Sequence, residues 1–381
     1  MIRRLLAALV LAAPLLRAQS TGTEIGGYVK YLFSRTEAPS VPVSYDHLLH
    51  ARLNTTWYPW EQLSGVLDLR ARAFYGDMVS NTPHFADNLK GDAGFGTLGS
   101  VLWTGEKTVG YAEIDRLYLN WSPDRWQFTV GRQRIAWGTN LVWNPIDLFN
   151  PLSVLDFDYE ERPATDAVRL QYYTGVVSKI EAAVKPGSAS SPAIAAGQLT
   201  LNAWDYDFHF LGGTKKDHWF GGTGWAGDIL GGGFRGEVLV SQIPREALLP
   251  GGHGLMVSSA FSGDYTFPSS FYIHTEMLYN TEGVTRDAAA ARPRATALGL
   301  LSPARWSIYQ EFSYDVSPLV RGSVFALINP LDGSYVAVPY ATWSAATNLD
   351  IMFLVLAFSG APETEFGGGG TAAFVRGKFS F

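Results

Sequence analysis

There is no cysteine in the 381 residues, so disulfide staples, thiolate metal sites and thiol nucleophiles are all excluded. Also missing is any apolar stretch of about 20 residues, the length a helix needs to cross a bilayer. The chain has no His-Glu-x-x-His zinc pattern and no Gly-x-Ser-x-Gly elbow, and its seven histidines are scattered. Basic residues are in the minority, 29 against 35 acids for a net charge of −6, and they form no stripe. Nucleic acid is therefore a poor partner. None of these patterns calls for a cofactor or a metal.

What is present begins with Met1, Arg3 and Arg4, an apolar run from Leu5 to Leu16, and then Arg17, Ala18, Gln19 and Ser20. This is the form of a secretory signal peptide covering residues 1–18, with a cut after Ala18. Its loss would remove three arginines and take the charge from −6 to −9. Residues 19–381 then read as one domain. The low-complexity pieces, Pro186 to Ala196 and Gly367 to Gly370, are loop-sized rather than linkers. Aromatics make up 14%, there are 40 glycines, and the mean hydropathy is +0.02. A barrel wall has that composition, because lipid-facing and lumen-facing residues alternate and cancel in the average.

A two-residue period recurs along the chain. Leu49, Ala51, Leu53 and Trp57 oppose His50, Arg52, Asn54 and Thr56, and after a turn at Pro59-Trp60-Glu61, Leu67, Leu69, Ala71 and Ala73 oppose Asp68, Arg70 and Arg72. Leu117, Leu119 and Trp121 oppose Arg116 and Asn120, and Ser122-Pro123-Asp124 turns the chain into Trp126, Phe128 and Val130. Trp57, Trp121, Trp126, Tyr172, Tyr279 and Tyr314 stand at segment ends, where membrane interfaces place aromatics. Short connections alternate with long ones, from Gly76 to Gly110, Trp137 to Thr165 and Thr281 to Ala304. The expected fold is all-β, a transmembrane antiparallel up-and-down β-barrel of about 16 to 18 strands. The segment from Ala372 to Phe381 would close it, and its terminal aromatic resembles the signal read by the barrel-assembly machinery.

The same phasing assigns lumen residues. Arg52, Arg70, Arg72, Arg116 and Arg169 point inward from early strands, and Arg376 and Lys378 from the closing one, which gives a contiguous basic arc. Asp205, Asp207, Glu237, Glu276, Glu311, Asp315 and Asp350 point inward from later strands, with Arg235 and Arg321 as basic exceptions. Either the two walls set up a transverse field or the charges pair with cross-strand neighbours, as Arg70 can with Asp68. Gly222-Thr223-Gly224-Trp225-Ala226-Gly227 matches the dinucleotide fingerprint, but no strand-turn-helix context surrounds it, and it is rejected.

The most distinctive stretch is Gly131-Arg132-Gln133, then Trp137-Gly138, then Asn144-Pro145 with Asp147 and Asn150-Pro151. It resembles a group of outer-membrane porin-like proteins distantly similar to alginate-export porins, and Asp332-Gly333-Ser334 with Glu365-Phe366 fits the same resemblance. The resemblance implies a barrel in the bacterial outer membrane that passes small or oligomeric solutes. From the residues themselves, Pro145 starts a short helix capped by Asn144, and the loop around it either folds inward to narrow the pore or packs on the rim. Arg132 shares its phase with lipid-side Val130, so either the strand has left the membrane there or Gly131 is a bulge. The expected function is diffusion through a charged lumen without enzymatic activity, with outer-membrane lipid and a small solute as partners. A structural or adhesion barrel and an outer-membrane hydrolase are the alternatives.

Overall fold

A computed structural model describes residues 22–39, 41–89, 96–150, 161, 163–188, 191–243 and 254–381. The signal peptide and Pro151 lie outside the described residues. Among the described residues, nineteen antiparallel strands begin with β1 (Thr23–Ala38), β2 (Val41–Trp60), β3 (Leu63–Gly76), β4 (Gly99–Gly105), β5 (Thr108–Trp121), β6 (Trp126–Gln133) and β7 (Thr165–Tyr173). They continue as β8 (Lys179–Lys185), β9 (Ile194–Ala203), β10 (Tyr206–Lys215), β11 (His218–Ile229), β12 (Gly232–Gln242) and β13 (Leu255–Thr266). The last six are β14 (Phe271–Asn280), β15 (Trp306–Ser317), β16 (Val320–Ile328), β17 (Tyr335–Ala346), β18 (Leu349–Ser359) and β19 (Thr371–Ser380).

Each strand of the ring pairs with its neighbour, and β19 returns to β1 in register from Glu37↔Thr371 to Tyr28↔Ser380. Phe381 and Gly27 exchange both backbone hydrogen bonds, so the last residue helps to close the ring. One strand stands outside it. β3 pairs with β5, and β4 pairs with β5 alone, which leaves a closed barrel of eighteen strands. Closure removes the sheet edges that lipid cannot hydrogen-bond.

Alternation explains why these segments are strands. Leu67, Leu69, Leu117, Leu119, Phe128, Val130, Val168, Val184 and Phe353 are exposed on the outside, while the residues between them face in. Two exposed aromatic belts flank the apolar band: Trp57, Trp121, Trp126, Tyr314 and Trp343 near the short-turn end, and Tyr75, Trp306 and Tyr335 near the long-loop end. The turn of the β2–β3 hairpin is Glu61-Gln62, one step later than the prolyl turn suggested, because β2 runs on to Trp60. All the long connections leave from the end opposite Thr23, where β1 begins, and Phe381.

Two local irregularities set the site. In β5, Asp68 pairs with Arg116 but Leu69 with Ile114, so Asp115 is an extra residue and the phase flips above it. In β6, Gly131 adopts φ 120, and a Cβ there would collide with the Leu117 carbonyl, a position that only glycine fills. Of the connections, that between β3 and β5 holds the short helices α1 (Asp77–Asn81) and α2 (Phe85–Asn88), and that between β14 and β15 holds α3 (Ala288–Leu298).

Candidate functional site

The barrel interior is filled unevenly. After Gln133 the chain leaves the wall and turns inward, burying Ile135, Trp137, Val142, Trp143, Ile146 and Phe149. Ile135, Trp137, Ile146 and Phe149 pack on Ala167, Ala183, Ile194, Leu211, Phe220 and Leu239 of β7 to β12. Val142 and Trp143 join a second cluster with Leu278, Tyr309, Phe325, Val336, Met352 and Leu354, on β14 to β18. Six apolar side chains bury the loop by the same hydrophobic effect that builds a core.

A buried loop must find acceptors for its N–H groups. Two inward carboxylates supply them. Glu237 on β12, fully buried, accepts the N–H of Asn140 at 3.0 Å and of Ile146 at 3.1 Å, the N–H of Thr139 at 2.5 Å, and the Thr139 hydroxyl at 3.1 Å. Glu276 on β14 accepts the N–H of Val142 at 3.1 Å and of Trp143 at 2.5 Å. Asn140 adds a bond to the Ala260 carbonyl and takes one from the Ser262 hydroxyl. These charge-assisted bonds fix the loop's height and position across the wall. The glycines of the rejected nucleotide pattern have a packing role here. A Cβ on Gly222 or Gly224 would stand 3.2 or 2.9 Å from the Ile146 side chain, so their absence of side chains makes the groove that seats it.

The resemblance motif builds the base of this loop. The Arg132 guanidinium makes a bidentate pair with Asp166 at 2.7 and 3.0 Å and donates to the Gly96 carbonyl at 2.6 Å, bracing the point where β6 departs beside β4. It keeps the outward phase but is covered by the chain at Gly96, and Gly131 supplies the irregularity. Gln133 donates to the Ala167 and Thr129 carbonyls. Trp137 donates its indole N–H to Glu181 at 2.6 Å and meets Phe149 edge-on. A Cβ on Gly138 would collide with the buried Asn144 side chain. Asn144-Pro145-Ile146-Asp147 is a turn closed by the Asp147 N–H to the Asn144 carbonyl, not the helix that Pro145 suggested, because the next residues bend back toward Ile135.

Across the barrel the wall is charged. Arg52 pairs with Asp115 at 2.6 Å and Asp68 at 2.9 Å, with Glu161 at 3.9 Å. Arg70 pairs with Glu113, which Arg72 approaches at 3.7 Å. Arg116 lies 3.7 Å from Asp115. Arg169 makes two bonds to Glu181, at 2.6 and 2.9 Å, and Lys179 a third. Lys30 and Lys378 flank the Tyr28 ring at 5.3 and 4.6 Å, and Arg376 shares the inward phase of Lys378 on β19.

The predicted acids fare differently. Glu237 and Glu276 are occupied by the loop. Glu311 accepts the Tyr309 and Tyr340 hydroxyls, Asp207 a bond from Asn202, Asp315 one from Arg321, and Asp350 one from Ser344. Asp205 is corrected. It is exposed in the two-residue turn between β9 and β10, where Trp204 and Asp205 take φ 55 and 63, the form a tight hairpin requires. Glu113, Asp115 and Glu181 were not anticipated. The signal for the first two was the adjacent charged pair Asp115-Arg116 inside an alternating segment, which only a bulge can point to one side.

No family model and no curated protein sequence matches the chain. Solved structures do. OccAB3 of Acinetobacter baumannii, 10% identical, superposes with a TM-score of 0.59 over 94% of this chain and 99% of its own. OccK5 (OpdH) of Pseudomonas aeruginosa, 9% identical, gives 0.59 over 94% and 98%. OmpF of Salmonella typhi, solved with daunomycin, gives 0.50 at 9% identity over 94% and 97%. At this identity the likeness concerns the fold: the chain has the closed antiparallel barrel of outer-membrane porins.

Proposed function

We propose that the chain is an outer-membrane diffusion pore whose passage runs between the inward loop and the charged wall of β1–β3, β5 and β19. The observation that carries this reading is the pair Glu237 and Glu276, which hold a loop inside a barrel of the width that leaves a channel. Long connections would face outward and short turns the periplasm. The solute would be small or oligomeric and hydrophilic, in keeping with the alginate-export resemblance, and the basic arc would act on it through whatever charge its acids leave uncompensated. The apolar outer band would face lipid, and the closing strand would engage the assembly machinery.

Planar bilayers test the reading. The refolded chain should give stepwise current, with a reversal potential displaced from zero in a salt gradient. Inserted, heat-modifiable barrels that pass no current would overturn it.

A further inference from the structure

Asp332-Gly333-Ser334 and Glu365-Phe366 have no part in the passage described above. They meet at one point, where three connections join at the long-loop end. The Glu365 side chain is 6% exposed. Its Oε1 accepts the Ser302 hydroxyl at 2.9 Å, and its Oε2 has no hydrogen-bond partner. Its N–H donates to Asp332 at 2.9 Å, and the Phe366 N–H donates to Ser334 Oγ at 3.1 Å. Asp332 is itself tied down by the Ser334 N–H and hydroxyl and by Asn329. From α3, Arg292 donates to the Glu365 carbonyl and the Ala289 N–H reaches the Glu363 carbonyl at 3.3 Å.

At its other end α3 stops at Gly299, φ 72, where a Cβ would stand 3.5 Å from Lys215 Nζ on β10. β10 and β18 are eight pairings apart in the ring of eighteen, close to opposite sides. An 11-residue helix is about 16 Å long, a fair part of the mouth's width. Ala288, Ala295 and Leu298 are buried on its underside. The helix is thus a bar over the outer mouth, held at its first turn by the β18–β19 connection.

We propose that Glu365, with Asp332 and Ser302, is a proton-dependent latch that fastens α3 across the mouth. The charged groups facing Glu365 are Asp332 from the β16–β17 connection and Arg292 from α3, and Arg292 bonds the main-chain oxygen rather than the carboxyl group. Among the described residues no cation bonds that carboxyl group. Burial, the largest influence, and Asp332 push it up to about 7 against the opposing pull of the Ser302 hydroxyl, Asn329 and the Arg292 charge. When the connection lifts away, it returns toward the usual carboxylate range. Its proton therefore favours the fastened state, fully below the released value, and that support fades as pH rises through about 7. The lid is fastened in acid and loosened above neutrality.

The test reads the lid directly, so it does not depend on the pore reading. Because the chain has no cysteine, single variants Ala288→Cys (buried) and Ala290→Cys (exposed) can be labelled by a membrane-impermeant thiol reagent. The ratio of their rates cancels the thiol's own titration. It should rise by at least about tenfold between about pH 5 and about pH 8. Glu365→Gln should hold the ratio low and flat, and Asp332→Asn should shrink its span. A ratio that does not change with pH, or one that changes equally with Glu365→Gln in place, would overturn the latch.

Discussion

The two sides of the barrel interior carry similar numbers of inward acids and use them in opposite ways. On β12 and β14, Glu237 and Glu276 meet backbone N–H groups of an inserted loop; on β3 and β5, Asp68, Glu113 and Asp115 meet guanidinium groups of their own wall. The first arrangement fills space, because each carboxylate drags a segment of chain and its apolar side chains inside. The second ties the wall to itself, since Arg52, Asp115 and Arg116, all buried, spend their charges on one another across neighbouring strands and anchor no apolar segment. A side chain's phase says that it faces the interior; its partner decides whether it draws a loop inside or braces the wall.

The strongest way to break that contrast is to free the loop. Glu237→Ala with Glu276→Ala strips five buried N–H groups of their acceptors, at about 1–3 kcal/mol each, while every rung of the ladder remains. The barrel should stay folded by heat-modifiability on gels, and single-channel conductance should rise severalfold. Unchanged conductance in a folded double variant would mean that the loop does not narrow the passage. Filling the groove is milder. Gly224→Leu crowds Ile146 and should cost about 1–3 kcal/mol, read as a lower thermal midpoint together with new protease cleavage near Ile146. A midpoint equal to that of the parent would show that Ile146 is not seated there.

The charged wall answers to a different measurement. Arg70, Arg72 and Arg116 replaced together by glutamine should leave the fold intact and move ion selectivity toward cations, because three positive charges go while Glu113, which loses both its arginines, and Asp68 and Asp115, which keep Arg52, all retain their negative charge. The reversal potential in a potassium chloride gradient reads this. If it stays where the parent's lies, these residues do not face the permeating ions.

Much of this architecture was legible in the sequence. Alternation marked the strands of an antiparallel barrel, and the closing strand was readable from its own pattern. The limits are physical. Where a bulge inserts Asp115, a strict two-residue period misreads the residues above it. In a two-residue turn, Asp205 alternates as a strand residue would, yet it lies outside the wall. The loop anchors were beyond reach because Glu237 and Thr139 are 98 positions apart, and nothing local marks a carboxylate as an acceptor for backbone rather than for arginine. The clue in hand was composition, since Ile135, Trp137, Val142, Trp143, Ile146 and Phe149 are too apolar for a solvated rim.

The smallest effect is expected where the two sides meet, at Glu181 on β8. Its carboxylate takes the Trp137 indole from the loop and, from the wall, Arg169 twice, Gln171 and Lys179. The wall donors alone saturate it. Removing the indole N–H by Trp137→Phe therefore leaves no unpaired charge, and the loss is one hydrogen bond and part of a ring, about 1–2 kcal/mol. Selectivity should not move, because Arg169 and Glu181 keep each other neutral, and the thermal midpoint should fall by a few degrees at most. A large shift in reversal potential would show instead that the indole holds Glu181 away from the passage, and that loop and wall act as one charged surface rather than two.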